Sequence, residues 1–170
     1  MHEAVQRESK AAREYAGILD ASTLGKIDIQ GVDASEFLNR VYTNAWSKLG
    51  IGKCRYGLML NEDGMVYDDG VTTRLDENHY IMTTTTGGAA TVMSKLEDYL
   101  QTEWPELKVF LTSVTDHFAT VSVCGPHSKK ILEKVVKNIN FIDQEFPHMS
   151  FKDGIIDNVK CRVMRISFTG

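Results

Sequence analysis

The chain has 170 residues, of which 42% are apolar, 25% charged and 9% aromatic, the averages of an ordinary globular domain. Nineteen Lys and Arg against 23 Asp and Glu give a net charge of −4, and no basic block offers the phosphate-neutralising surface of a nucleic-acid binder. No apolar run reaches the roughly 20 residues of a membrane span, so the sequence predicts a soluble, ordered domain without nucleic-acid or membrane partners. Residues 2–16 predict a charged helix, in which Ala4, Ala11, Ala12 and Ala16 stand among alternating Glu and Arg. Its apolar face is thin, so it is expected to dock poorly. Leu24 to Gly31 alternates as a half-buried strand, with Leu24, Ile27 and Ile29 inward and Lys26, Asp28 and Gln30 mostly outward. Asp33-Ala-Ser-Glu36 then reads as a capping-box start for a helix with the stripe Phe37, Leu38 and Val41, ending near Thr43-Asn44.

Residues 55–86 carry the densest strand signal. Tyr56 to Leu60, Met65 to Leu75 and Tyr80 to Thr86 are separated by turns at Asn61–Gly64 and Asp76–Asn78, which predicts a three-stranded antiparallel meander. Gly87-Gly88 breaks it, and a helix is predicted from Ala89 to about Thr102, with Val92, Met93, Leu96, Tyr99 and Leu100 at helical spacing. Strands at Val109–Thr115 and Ala119–Val123 follow, then a stop at Gly125-Pro126. His127-Ser128 opens a helix bearing Ile131, Leu132, Val135 and Val136. A last hairpin joins Met149–Ile156 to Val159–Ser167 through Asp157-Asn158. The fold class is therefore α+β, antiparallel sheets with covering helices, and not a βαβ repeat. A composition break near Glu103-Trp104-Pro105 is the one weak candidate for a boundary.

The sequence lacks GxGxxG, GxxxxGK[ST], HExxH and GxSxG, so no dinucleotide, phosphate-loop or hydrolase signature is encoded. His2, His79, His117, His127 and His148 are scattered without an i, i+4 pair, and no metal site is assigned. Cys54, Cys124 and Cys161 form neither a CxxC pair nor a disulfide framework and read as reduced structural thiols. Residues 1–15 contain no apolar leader core, so a cytoplasmic location is expected. Trp46, Tyr56 and Trp104 read as core or interface aromatics.

Asp68-Asp69 is unusual, because carboxylates are depleted in strands and costly on a buried face. Alternation puts Asp69 with Met65, Tyr67, Val71 and Leu75, and Asp68 with Val66, Gly70, Thr72 and Arg74, so Asp69 is the one threatened with burial. A desolvated carboxylate there would mark a functional site; the alternative is a turn or bulge with both side chains solvated. Thr83 to Thr86 with Gly87-Gly88 offers hydroxyls and free N–H groups at a helix start, or is an ordinary strand-to-helix turn.

Five blocks carry a resemblance. Gly17-Ile-Leu-Asp-Ala-Ser-Thr-Leu-Gly-Lys26, Tyr42-Thr-Asn44, Tyr56-Gly-Leu-Met-Leu-Asn-Glu-Asp-Gly-Met-Val-Tyr-Asp-Asp-Gly70, Val123-Cys-Gly-Pro126 and Ser167-Phe-Thr-Gly170 follow, in order, those of the aminomethyltransferase (glycine cleavage T-protein) folate-binding family. Met82-Thr-Thr-Thr-Thr-Gly87 with Asp69-Gly70-Val71 is most similar to its sarcosine oxidase alpha-subunit branch. Two departures from the T-protein fit that branch: Ser22-Thr23-Leu24 replaces Ser-His-Met, and Thr85 replaces an Asn.

The resemblance implies that Asp69 is catalytic and sits against a reduced pterin near its N5, with Leu24, Tyr56, Thr83 and Thr85 lining the folate pocket. It also implies tetrahydrofolate as the cofactor here, FAD, FMN and NAD in other domains or subunits, and beta, gamma and delta subunits as partners. Residues 1–16 are then a helical lead and 17–170 a folate-binding domain. That domain is expected to be incomplete at its C-terminus, since the family's glutamate after the Phe-Thr-Gly motif would lie past Gly170. The implied reaction is demethylation of sarcosine to glycine with the carbon passed to tetrahydrofolate, this fragment alone oxidising nothing. The rivals are a T-protein-like aminomethyltransferase and a non-catalytic folate-binding or assembly module.

Overall fold

The structure, a computed structural model, describes residues 2–167. Phe168, Thr169 and Gly170 of the last family block therefore lie outside the described residues.

Helix α1 (His2–Glu14) buries none of its side chains, as its thin apolar face predicts. It leads into β1 (Gly17–Asp20) and β2 (Gly25–Gln30), then α2 (Ala34–Val41). The meander follows as β3 (Cys54–Leu60), β4 (Val66–Asp76) and β5 (His79–Thr84), with Gly64 supplying the positive φ, 77°, of the first turn. Helix α3 (Ala89–Asp98) continues into one wide turn, Tyr99–Glu103, and then come β6 (Phe110–Ser113) and β7 (Val121–Cys124). Helix α4 (Ser128–Val135) and the hairpin β8 (Ser150–Ile156) and β9 (Val159–Arg165) complete the order.

Five strands form the main sheet in the order β3-β4-β5-β2-β6, every neighbouring pair antiparallel. One face carries Ile27, Ile29, Tyr80 and Met82, which pack with Phe37 and Leu38 of α2 and Leu96 of α3 into the principal core. The composition break at Glu103–Pro105 is not a boundary. Trp104 stacks on Tyr99 with centroids 5.0 Å apart and meets Phe37 edge-on at 6.1 Å, while β6 joins the sheet beside β2.

Three local expectations fail for physical reasons. Asp33 is the N-cap residue of α2 but its side chain does not cap it, because the carboxylate accepts the Lys108 N–H at 2.8 Å and is thereby spent on the approach to β6. Helix α2 also stops at Val41, where Tyr42 turns extended and its N–H closes on the Leu38 carbonyl. Lys26 is not outward either: it is buried within β2.

Two smaller sheets flank the main one. Strands β1 and β7 pair as a ribbon beside α1. The β8–β9 hairpin turns at Asp157-Asn158, both at positive φ (45° and 68°), and covers a second core of Val136, Phe141 and Phe146. The Lys53–Ser150 bridge, made by bonds from the Cys54 N–H to the Met149 carbonyl at 2.8 Å and from the Phe151 N–H to the Gly52 carbonyl at 3.2 Å, joins hairpin and main sheet. Among the described residues no helix is long and apolar enough to cross a membrane.

Candidate functional site

The site begins where the meander opens. Strand β4 pairs with β3 along its length, but with β5 only as far as Thr72 opposite Met82. Below that point Gly70 brings the β4 backbone so close to the Thr83 carbonyl that a Cβ there would overlap it. Thr83 then replaces ladder bonds with its side chain: its Oγ1 accepts the Val71 N–H at 2.9 Å and donates to the Val71 carbonyl at 3.3 Å. The diverging end of β5 thus leaves a fork, filled by the threonine hydroxyls.

Asp68 and Asp69 stand at this fork, in regular pairing with Met59 and Leu58 of β3 rather than in a turn. The buried member is Asp68, at 4% exposure, and not Asp69, which is half-buried. The expectation fails because the core lies on the other face of β4: Asp68 stands opposite Met59 and Thr72 opposite Met82, both buried in the principal core, while a bulge at Tyr67 takes Met65 and Tyr67 out of line with Asp69. Met65 and Tyr67, counted as apolar company for Asp69, are exposed.

Asp68 is held by Thr85, whose hydroxyl donates to Oδ1 at 2.6 Å and whose N–H reaches both carboxylate oxygens at 3.3 and 3.4 Å. The Gly88 N–H donates to the same threonine oxygen at 3.1 Å, so the start of α3 is chained to Asp68. Any Cβ at Gly88 would stand 2.6 Å from Asp68 Oδ1. Burial pushes the Asp68 carboxyl above the ordinary carboxylate range, the Thr85 bonds pull it back, and the charge of Asp69 adds to the rise.

Asp69 points to the opposite face. The Tyr56 hydroxyl, on the diagonal position of β3, donates to its Oδ2 at 2.7 Å. That bond, more than burial, raises the Tyr56 phenol above its usual value, so it remains a donor. Tyr56 is 48% exposed and therefore no core residue. The buried phenol of Tyr42 is likewise pushed up, first by desolvation and then by the charges of Asp68 and Asp69.

Register extends this face across the sheet. Tyr56 lies opposite Val71, and Thr83 opposite Lys26, so Tyr56, Asp69, Thr83 and Lys26 share one side. Leu24 sits just before β2, in a turn closed by its N–H on the Ala21 carbonyl at 3.2 Å, and is half-buried. Thr23 and Thr86 join their hydroxyls at 3.1 Å, fastening that turn to the end of β5. Of the expected site residues, then, Tyr56, Asp69 and Thr83 are brought together, Leu24 stands at the rim, and Thr85 is committed to Asp68. Lys26 was missed, since a lysine in an alternating strand reads as solvated and its ammonium bonds backbone carbonyls, which no residue type signals. Among the described residues, no group of three His, Cys, Asp or Glu side chains is arranged to hold a metal ion.

The arrangement offers a carboxylate on an accessible face, oriented by one phenol: a group able to stabilise a cation and to accept a proton. Comparison with known proteins agrees with the fold. The family model described as the GCVT N-terminal domain matches residues 1–170. The chain is similar to the sarcosine oxidase subunit alpha of Corynebacterium sp. (strain U-96), 54% identical over 100% of this chain and 18% of the relative. The same subunit of Rhizobium meliloti (strain 1021) is 49% identical over 99% of this chain and 17% of its own length. This chain thus spans less than a fifth of these relatives. The crystal structure of glycine cleavage system aminomethyltransferase T from Bartonella henselae shares the fold, with a TM-score of 0.82 at 24% identity, covering 97% of this chain and 42% of that one.

Proposed function

Because this chain belongs to the GCVT N-terminal domain family, we propose that it is the tetrahydrofolate-binding part of a sarcosine oxidase alpha subunit. In this reading residues 1–16 are a helical lead and residues 17–170 the folate-binding unit. The whole complex, cytoplasmic and completed by beta, gamma and delta subunits, oxidatively demethylates sarcosine to glycine. The carbon is passed on to give 5,10-methylenetetrahydrofolate, and FAD, FMN and NAD serve in other domains or subunits. Identity to sarcosine oxidase alpha subunits along the entire chain is the observation that carries this reading.

The accessible face suits a reduced pterin. Tyr56 contributes an exposed ring, Asp69 an acceptor for ring N–H groups, and Leu24 and Thr83 an apolar and a small side chain beside them. Thr85 supports it indirectly, through Asp68. Tetrahydrofolate, when bound, supplies the nucleophilic nitrogen that takes the carbon. The Tyr56 hydroxyl holds Asp69 Oδ2, and among the described residues nothing donates to Oδ1, which is left to accept a proton from the attacking amine. The same negative charge stabilises the cationic iminium that oxidation of an N-methyl amine produces. Two reactants held on one face also react with an effective-molarity advantage over freely diffusing formaldehyde.

The test is Asp69→Asn in the intact complex, supplied with sarcosine and tetrahydrofolate. Sarcosine oxidation should continue, while 5,10-methylenetetrahydrofolate formation falls by about a hundredfold or more and formaldehyde appears instead. An unchanged methylenetetrahydrofolate yield would overturn the role given to Asp69.

A further inference from the structure

Lys26 is 4% exposed, yet among the described residues no carboxylate lies within ion-pairing distance of its ammonium. Its Nζ donates instead to two backbone carbonyls, those of Ser22 and Leu24, each at 2.9 Å. Both belong to the turn that precedes β2. The backbone of Lys26 is itself fixed: its N–H donates to Thr115 Oγ1 at 3.0 Å and its carbonyl accepts the Val114 N–H at 2.8 Å. A buried ammonium costs free energy that two carbonyl bonds offset only in part. Burial accordingly lowers its pKa, against the opposing pull of Asp116. An apolar side chain of similar length would fill the space at no such cost. What only a donor can do here is bind the two turn carbonyls to a strand whose register with Thr83 is set.

We propose that Lys26 is a positioning residue: its ammonium clamps the Ala21–Leu24 turn against β2 and so fixes Leu24 at the rim of the Tyr56–Asp69–Thr83 face. The clamp acts together with the Thr23–Thr86 hydroxyl contact, which ties the same turn to the segment that follows β5. A turn held by both contacts presents the Leu24 side chain in one place; held by one, it samples several, and the ligand then pays for ordering it. The assignment rests on the folate-binding reading of this face.

The experiment compares Lys26→Met and Lys26→Arg in the intact protein by hydrogen exchange, tetrahydrofolate binding and steady-state kinetics. Lys26→Met should accelerate exchange at the Leu24 amide while leaving Ile29, toward the far end of β2, protected. It should also raise the tetrahydrofolate KM about tenfold with kcat within about twofold, the signature of lost uniform binding rather than lost chemistry. Lys26→Arg, which keeps a donor, should recover most of both effects. Unchanged exchange at Leu24 overturns the clamp. Faster exchange with an unchanged KM overturns the positioning role and leaves Lys26 merely structural. If the unsubstituted protein binds no tetrahydrofolate, the folate reading falls and this assignment with it, an outcome distinct from the other two. Should Lys26→Met not fold, Thr23→Val, which removes the turn's hydroxyl contact with Thr86 but keeps the lysine, must accelerate exchange at Leu24 and raise KM with kcat kept; an unchanged KM overturns the proposal.

Discussion

Asp68 and Asp69 are adjacent on one strand and live in opposite surroundings, the first enclosed by Thr85 and Gly88, the second open and met by Tyr56. Because burial raises the Asp68 pKa above its ordinary 3.8, the folded state holds that proton more tightly than the unfolded one. Its contribution to stability is therefore fully present below the unfolded pKa and lost as pH rises through the folded one. Asp68→Asn keeps an oxygen for Thr85 and carries no charge to desolvate. Melting curves between about pH 4 and pH 7 should show the variant gaining on the unsubstituted protein as pH rises; a constant difference would sink the assignment. At Asp69 the matching change is Tyr56→Phe, which removes from an exposed ring the hydrogen bond it donates to Oδ2. One-carbon transfer should fall about tenfold with melting temperature unchanged, read as methylenetetrahydrofolate formed per sarcosine oxidised. The unusual pair was legible in the sequence, since two carboxylates in a strand stand out. Which of them is buried was not, because that depends on which face of β4 meets Met59 and Met82 across the sheet, partners that the local pattern does not report. Lys26 was illegible for a related reason: its partners are carbonyls, which no side-chain pattern reports.

At the scale of elements, the fork between β4 and β5 is what creates the site, and it depends on Thr83 doing the work of backbone. Thr83→Val keeps the β-branched shape but leaves the Val71 N–H unpaired, at a cost of about 1–3 kcal/mol. Thr83→Ser keeps the hydroxyl and should cost less than half as much; urea unfolding midpoints distinguish the two. Equal losses would mean that packing, not the hydrogen bond, matters there. The meander itself was readable to within two residues at each strand end, because its turns are local: Asn61–Gly64 with a positive-φ glycine, Asp76–Asn78 with polar side chains. The start of α2 was readable too, at Asp33, but the bond its side chain makes was not, because a distant group competes. Asp33 has the residue type and spacing of a cap, but the Lys108 amide, 75 positions along the chain, takes its carboxylate.

The whole molecule holds two cores of unequal weight. The principal one lies between the five-stranded sheet and helices α2 and α3, while Val136, Phe141 and Phe146 form a separate cluster beneath the β8–β9 hairpin. Few bonds join them, chiefly the Lys53–Ser150 bridge, made by the Cys54 N–H on the Met149 carbonyl and the Phe151 N–H on the Gly52 carbonyl, and a weak contact of the Thr73 hydroxyl with the Met164 sulfur. Units so joined open separately, with free energies set by their own packing. Phe146, almost fully enclosed and edge-on to Phe141 at 5.6 Å, is the side chain on which the smaller cluster turns. Phe146→Ala should cost the hairpin about 3–5 kcal/mol. Hydrogen exchange would then accelerate at the β8 and β9 amides, while those of β2 and β5, which carry Lys26 and Thr83, keep their protection. If all four strands lost protection together, the two cores would be a single cooperative unit, and damage to the hairpin would reach the Asp69 face directly.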